Sequence, residues 1–598
     1  MSDTVEKNRD IAGGVLFGVS AAWVQAIVAV MVNVVQIPLL YRCLARDALG
    51  AWMIFTSIGI FLLVWDLGLG ATFSRSMAYF RGARGAMRNG EWGMGRTDEH
   101  SLRNPHSEIR IGQPPCPGPP GPWAGDMLRT VSLSFWLLAA VLYVVGLFVG
   151  RIYLGRLEFD ATPFETVWLA WTIYAFGCAV NLGSATPFHC LNGMGDVGIE
   201  QCLQTACNLL ALLANVIILL AGGGIVALSV VFVARGFAAR AAAWVMLKRR
   251  HAWLFKSERR PGTEDERPML HRQWSIVLRH WSILRVLRGD CLRIFVTRFG
   301  AFLILQTSGL VIAQFLTPRR VPDFMAMWMI VQLGMMGGMA IGQAATPYAA
   351  AAHAAGENPR LLRLHRHAAR AALFLISLWC VGLLVWAREL MALWTGPGHF
   401  LGYAVLAPMV ITGVMEVHHS VNANFVWSSG RWPFAPWAIA AGILNLGLGI
   451  WWVRLWGEMG MACATCVAQL LTNNWFAVYY ALRRLQVPGL QYLRQVVLPV
   501  AGMISCAALV AVAAKVGLGR LTMNEEPWPS VLGPRSLVAS CSIRGVPLND
   551  VAAFCVGGIA AVMCAFALYW RFGMDAEARR ALRFALLRLP PRTRGDWR

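Results

Sequence analysis

Apolar blocks of about 20 residues recur along the whole chain, and each is long enough to cross ~30 Å of hydrocarbon as a helix. They fall at 12–38, 48–68, 130–150, 164–186, 202–222, 224–246, 292–316, 324–346, 367–387, 401–423, 433–453, 458–482, 494–516 and 551–571. The first block is too long, and too well embedded in the pattern, to be a cleaved leader, and no small-residue cleavage motif closes it. The pattern predicts an all-α polytopic membrane protein with about 14 transmembrane helices. Three connections depart from the short-loop pattern. Residues 83–125 contain GQPPCPGPPGPWAG, too dense in Pro and Gly for regular structure. Residues 248–291 open as KRRHAWLFKSERRPGTEDERP and continue into an Arg-, Trp- and Leu-containing stretch suited to lie along a membrane surface. Residues 517–550 form the long connection on the opposite side.

Charge orients the pattern. Fourteen spans place both termini on one side. With that side inside, it holds 41 of the 53 Lys and Arg, and 12 remain outside, each in-span residue being given to its nearer end. The bias puts both termini in the cytoplasm. Composition agrees: the chain is 57% hydrophobic and 14% charged, against about 25% charged in soluble domains. The net charge of +22 is then first a topology signal, next a match to an anionic membrane surface or substrate, and not a nucleic-acid footprint. The fourteen cysteines lie mostly inside apolar blocks and give no disulfide framework. Cys463 and Cys466 stand in an apolar helix without partner ligands, as small packing residues.

The chain repeats itself. LARDALGAWMIF, from Leu44, has a counterpart in LTPRRVPDFMAMWMIV, from Leu316, and Trp-Met-Ile recurs at 52–54 and 328–330. Both copies start on the same side, which makes them parallel repeats about an axis along the membrane normal. The expected division is a six-helix lobe at 1–247 carrying the 83–125 insertion, a basic cytoplasmic linker at 248–291, a six-helix lobe at 292–482, and two added helices with a cytoplasmic tail at 483–598.

Polar groups at membrane depth need a partner or a wet cavity. The first span carries Gln25, Asn33 and Gln36, with Arg42 at its end; the seventh carries Arg293, Arg298, Gln306 and Gln314. Arg293 and Arg298 read either as snorkelling anchors or as substrate contacts. In the tenth span, GVMEVHHSVNANF puts Glu416 about one turn from His419. That pair fits a structural contact, a gate contact or a proton-coupling site, and no third ligand completes a metal site. After the second span, VWDLGLGATFSRSMAYFRG offers Asp66 and Arg75 as an inner gate, with Gly68 and Gly70 letting the backbone turn. No phosphate-binding loop ending in Lys and Ser or Thr is present, so no built-in ATPase is expected. No constellation reads as an enzyme centre.

These features resemble a polysaccharide flippase of the superfamily that also contains multidrug and toxic-compound exporters and the lipid II flippase. The resemblance rests on YRCLARDALGAWMIFTSIGIFLLVWDLGLGATFSRSMAYFRG, its second-half counterpart through GQAATPYAAAAHAAGE, ARELMALWTG at 387–396 and AGILNLGLGIWWV at 441–453. It implies two six-helix lobes in a V, plus the C-terminal helix pair. It further implies alternating access and export of a polyprenyl-diphosphate-linked oligosaccharide across a bacterial inner membrane, in cell-surface polysaccharide biosynthesis (lipopolysaccharide or exopolysaccharide). On that reading Arg42, Arg293 and Arg298 meet the diphosphate, while Gln25, Asn33 and Gln306 contact sugar hydroxyls. Asp66, Arg75, Glu416 and His419 are the gate or ion-coupling candidates. No cofactor is called for, and H+, Na+ and the membrane potential are the alternatives for coupling. A polysaccharide polymerase or glycosyltransferase is the expected protein partner. A cation-coupled small-molecule antiporter and a non-transporting membrane scaffold stand as alternative functions.

Overall fold

The computed structural model describes residues 2–88, 120–255, 291–292, 294–354, 356–429, 433–523, 542–543, 546–574 and 579. Most of all three long connections, and Arg293, lie outside the described residues. The chain is a multi-pass, almost entirely helical membrane protein. Its helices are α1 (Ser2–Cys43), α2 (Arg46–Val64), α3 (Leu69–Arg88), α4 (Pro120–Leu154), α5 (Phe164–Gly183), α6 (Thr186–Gly193), α7 (Val197–Leu220) and α8 (Ile225–Arg250). There follow α9 (Ile294–Leu305), α10 (Ser308–Phe315), α11 (Val321–Ala354), α12 (Asn358–Trp394), α13 (Tyr403–Trp427), α14 (Ala435–Leu471), α15 (Asn473–Arg484), α16 (Gly489–Tyr492), α17 (Leu498–Met523) and α18 (Leu548–Leu568). A two-residue strand pair, Ser542–Ile543 with Val546–Pro547, precedes α18.

Among the described residues, 11 helices are long and apolar enough to span, or up to 12 if the bent pair α9–α10 counts as one. The expected fourteen differ from this count at two places. Residues Ala435–Arg484 form one 50-residue helical stretch, which the sequence splits into two spans; it is broken at Gly457, whose φ of 58° and ψ of −138° no other residue type adopts readily. The second is α2, with 19 residues; at about 28 Å it lies within the roughly 17–25-residue range of a spanning helix, as the sequence expects for 48–68.

The chain forms two compact units. One comprises Met1–Pro322 with Ala438–Gly457, and the other Asp323–Trp437 with Glu458–Arg598. Residues 292–322 and 438–457, which the sequence places in the second lobe, therefore cluster with the first unit, and the break at Gly457 falls at the boundary between them.

In the first unit α1 packs along α7, and α5 packs against α2, α4 and α8. Its centre is aromatic: Trp171 is fully buried and donates from Nε1 to Gly146 O at 3.2 Å, while Tyr174 stacks on Phe232 with centroids 4.4 Å apart. At the bend between α9 and α10 (44°) the carbonyls freed from the helix ladder need donors from elsewhere. Asn445 of α14, fully buried, supplies them: its Nδ2 lies 3.0 Å from Leu303 O, 3.2 Å from Ile304 O and 3.4 Å from Thr307 Oγ1.

In the second unit α12 packs on α13, and α17 and α18 pack on each other and on α12. Lys515 of α17 pairs with Glu389 of α12 at 2.8 Å, and Phe374 stacks on Tyr569 at 4.5 Å. The interior is polar at one end. Tyr492 donates or accepts with His418 Nε2 at 2.8 Å and stacks on His365 at 5.8 Å; His365 Nε2 meets Asn422 Oδ1 at 3.0 Å.

The internal repeat has a structural counterpart. Asp47 and Asp323 each sit in the first turn of a helix, five residues before Trp52 and Trp328, and both are buried. Each carboxylate reaches the connection that leads into a later helix of its own unit. Asp47 Oδ2 accepts the Ala161 N–H at 2.6 Å, just before α5; Asp323 Oδ1 lies 2.7 Å from His399 Nδ1, just before α13. Arg319 adds a bridge in the first unit, pairing with both Asp47 and Asp160. A carboxylate in a first helical turn also complements the helix dipole.

Another acid fixes the corner between α6, α7 and the end of α8. Asp196 meets His251 Nε2 at 2.7 Å and Arg250 Nη1 at 3.1 Å. Burial pushes its carboxyl up, but the His251 hydrogen bond and the charges of His251 and Arg250 outweigh that and hold it below the usual carboxylate range. A lowered carboxyl contributes stability that is present above its unfolded-state value of about 3.9 and is lost as pH falls through the folded value. The melting-temperature gap between wild type and Asp196→Asn is therefore expected to close as pH falls below about 4. A gap that persists unchanged at about pH 2 would contradict this assignment.

Candidate functional site

The site grows from the turn that ends α2. Trp65–Gly68 reverses the chain through two consecutive left-handed residues, Leu67 at φ 52° and Gly68 at φ 75°. Asp66 holds that turn: its Oδ1 accepts the Gly68 N–H at 2.8 Å, the local bond that makes Asp a turn residue. Gly68 is required for a second reason, since a Cβ there would stand 2.7 Å from Cys291 O and 2.9 Å from Ile294 Cβ. Gly70 meets a different neighbour, and a Cβ on it would lie 2.3 Å from His189 Nε2. The Asp-Leu-Gly-Leu-Gly stretch thus builds one tight corner against two partners, the start of α9 and the histidine of α6.

The other carboxylate oxygen of Asp66 faces α9. Arg298 Nη1 donates to Asp66 Oδ2 at 3.0 Å, with the acid side chain 8% exposed and the arginine 47%. His189 is held by Phe135, stacked at 5.9 Å, and its backbone carbonyl accepts the Ser74 hydroxyl at 2.9 Å. It is close enough to Asp66, Arg298 and Arg240 to feel the charge of each.

Arg240 and, five residues earlier, Arg235 project from α8, and both are half-buried. Arg235 Nη1 donates to Asn208 Oδ1 at 2.8 Å, with its guanidinium 5.3 Å from the Phe232 ring centre. Arg240 Nη2 makes a long 3.4 Å contact to Asn181 O and lies 5.4 Å over Phe188. Its Nε is buried without a hydrogen-bond partner among the described residues, as is Asn181 Oδ1. Aromatic faces and neutral amides stabilise these cations without cancelling their charge. Among the described residues, three guanidiniums therefore stand along one polar tract of the first unit, with the Asp66 carboxylate paired to Arg298. An in-span arginine costs several kcal/mol on insertion scales unless it serves a partner or a cavity.

The sequence singled out Asp66 and Arg298 for separate roles, and the structure joins them. The remaining candidates stand elsewhere. Arg42 is exposed in the last turn of α1, and Arg75 is exposed on α3. On α1, Gln25 is half-buried, and Asn33 is exposed and turns back to donate to Ala29 O at 3.1 Å. Gln306 marks the bend between α9 and α10. Glu416 and His419 are not paired with each other. Glu416 Oε2 is buried without a hydrogen bond, while His419 Nδ1 turns to Asn473 O at 3.2 Å. Arg235 and Arg240 did not stand out as site residues in the sequence. The signal that reveals them is two arginines five apart in an apolar helix with no acid within reach. No group of three metal-ligating side chains forms among the described residues.

No protein-family model and no curated protein matches the chain. Solved structures do. An inward-facing multidrug resistance MATE family transporter of the MOP superfamily aligns with TM-score 0.54 and 14% identity, over 76% of this chain and 94% of its own. The lipid II flippase MurJ, in an inward closed conformation, aligns with TM-score 0.53 and 10% identity, over 96% of this chain and all of its own. An outward-facing MATE family transporter aligns with TM-score 0.50 and 14% identity, over 79% of this chain and 95% of its own. The chain has the fold these transporters share.

Proposed function

We propose that the protein is a transporter that moves an anionic, lipid-linked substrate between the leaflets of the membrane by alternating access. The finer reading is a polyprenyl-diphosphate-linked oligosaccharide, moved from the cytoplasmic to the outer leaflet of a bacterial inner membrane for surface polysaccharide assembly. The observation that carries it is the surplus of guanidinium over carboxylate along Arg235, Arg240 and Arg298, with Arg240 Nε unpartnered. A diphosphate offers several oxygens at fixed spacing, which planar guanidinium forks meet in pairs. An exporter of organic cations would need the opposite balance. The flippase alignment also extends over 96% of the chain, against 76% for the first MATE transporter, which supports a lipid-linked substrate.

In this reading both termini are cytoplasmic, the polar tract opens toward the cytoplasmic leaflet, and no cofactor takes part. Release on the far side requires that affinity fall as the protein changes state, driven by H+, Na+ or the membrane potential. A polymerase or glycosyltransferase acting on the same intermediate is the natural protein partner. The test is depletion of the protein in growing cells, followed by leaflet-resolved analysis of lipid-linked intermediates. A polyprenyl diphosphate glycan accumulating in the cytoplasmic leaflet is the expected result. Unchanged lipid intermediates together with new sensitivity to cationic toxins would replace this reading with a multidrug antiporter.

A further inference from the structure

A separate feature of the first unit shares no lining residue with the polar tract. The turn Ala252–Phe255 follows α8 and folds back onto α4, where Leu254 is buried. Gly125 permits the approach, since a Cβ there would stand 2.9 Å from Leu254 O. The turn, α4 and α8 enclose an open groove of about 340 Å³. Its α4 wall presents Arg129, Ser132, Leu133 and Trp136; Trp244 of α8 and Phe255 of the turn form the other side, with their rings 5.9 Å apart.

The residue types are graded along the groove. Arg129 is exposed at one end. Leu133 and Trp136 follow at i+4 and i+7 on the same helix face, and both are about half exposed. Lys248 lies one turn beyond Trp244 on α8, followed by Arg249 and Arg250. Asp126, a turn before Arg129, does not line the groove. A cationic end leading into an apolar, aromatic channel fits an amphiphile with an anionic head.

We propose that this groove binds one anionic phospholipid of the adjacent leaflet, with its phosphate at Arg129 and its first acyl carbons against Leu133 and Trp136. The chain's own continuation, residues 256–290, is the competing occupant. It carries eight Lys and Arg against five Asp and Glu, so its net positive charge complements a basic rim less well than a phosphate does. A phosphatidylglycerol headgroup carries that phosphate, and each basic side chain near an anionic surface favours it about fivefold.

The experiment is native mass spectrometry of the full chain, purified in detergent, with phosphatidylglycerol and phosphatidylcholine of matched acyl chains. One tightly retained phosphatidylglycerol is expected, with no equivalent phosphatidylcholine. Arg129→Gln should weaken it about fivefold, Arg129→Lys should restore most of it, and Ser132→Trp, which fills the groove, should remove it with the helical content unchanged. Equal retention of the two lipids, or wild-type retention by both Arg129→Gln and Ser132→Trp, would overturn the proposal. So would a disulfide formed between cysteines placed at Arg129 and within 256–290 in lipid-replete membranes.

Discussion

Arg240→Gln is expected to lower translocation of a diphosphate-linked substrate by about ten- to a hundredfold, the worth of one hydrogen bond to a charged group. Arg240→Lys should lose less, because it keeps the charge but not the planar fork. Arg240 is a cleaner probe than Arg298. Removing the Arg298 guanidinium strands the Asp66 carboxylate, which is 8% exposed, and a buried acid without its partner damages the fold on its own account. Arg240 holds only a long carbonyl contact and an aromatic face, so its loss leaves no charge stranded. The measurement is flipping of a fluorescent polyprenyl diphosphate glycan in proteoliposomes, with insertion checked by protease protection. Wild-type flipping by Arg235→Gln/Arg240→Gln would remove these residues from the substrate path.

The second large effect is on stability. Gly68→Ala is expected to destabilise the protein by several kcal/mol. A left-handed φ alone costs an alanine about 1 kcal/mol, and the new methyl would press on the Cys291 carbonyl, which is backbone and cannot swing aside. Strain of this kind falls in the upper tail of single-site effects. Gly70→Ala should cost less if the His189 ring rotates away, and the two substitutions can be ranked by thermal melts in detergent. Gly68→Ala melting with wild type would mean that the turn is not held as described.

Span positions were legible because burial in lipid writes a 20-residue period that no soluble contact competes with. The turn after α2 was legible too, since Asp and Gly at that spacing have few uses other than a corner. What sequence could not supply was partnership across 232 residues. Asp66 and Arg298 read as a gate acid and a substrate base because nothing in either segment names the other, and their 3.0 Å contact depends on how α2 and α9 meet. Glu416 and His419 show the converse. A one-turn spacing made them look like a pair, yet packing turns His419 toward Asn473. Arg235 and Arg240 were counted as topology charges, and only the absence of a nearby acid distinguishes such residues from anchors. At Gly457 the apolar pattern marks two spans, while the backbone continues as one broken stretch, because hydropathy records depth and not chain direction.

The amide of Asn445 has a mechanical consequence. A bent helix with loose carbonyls can act as a hinge wherever water or a mobile side chain is ready to satisfy them at each angle. In hydrocarbon few such donors exist, here the Thr307 hydroxyl, which gives to Leu303 O at 2.7 Å, and the Asn445 amide, and each abandoned carbonyl costs several kcal/mol. Asn445 reaches Leu303 O and Ile304 O across the elbow from α14, so neither straightening nor further folding can proceed without breaking that stitch. The elbow is therefore braced: one buried amide ties the bend of α9 and α10 to the first half of α14, and a change of angle there costs that contact.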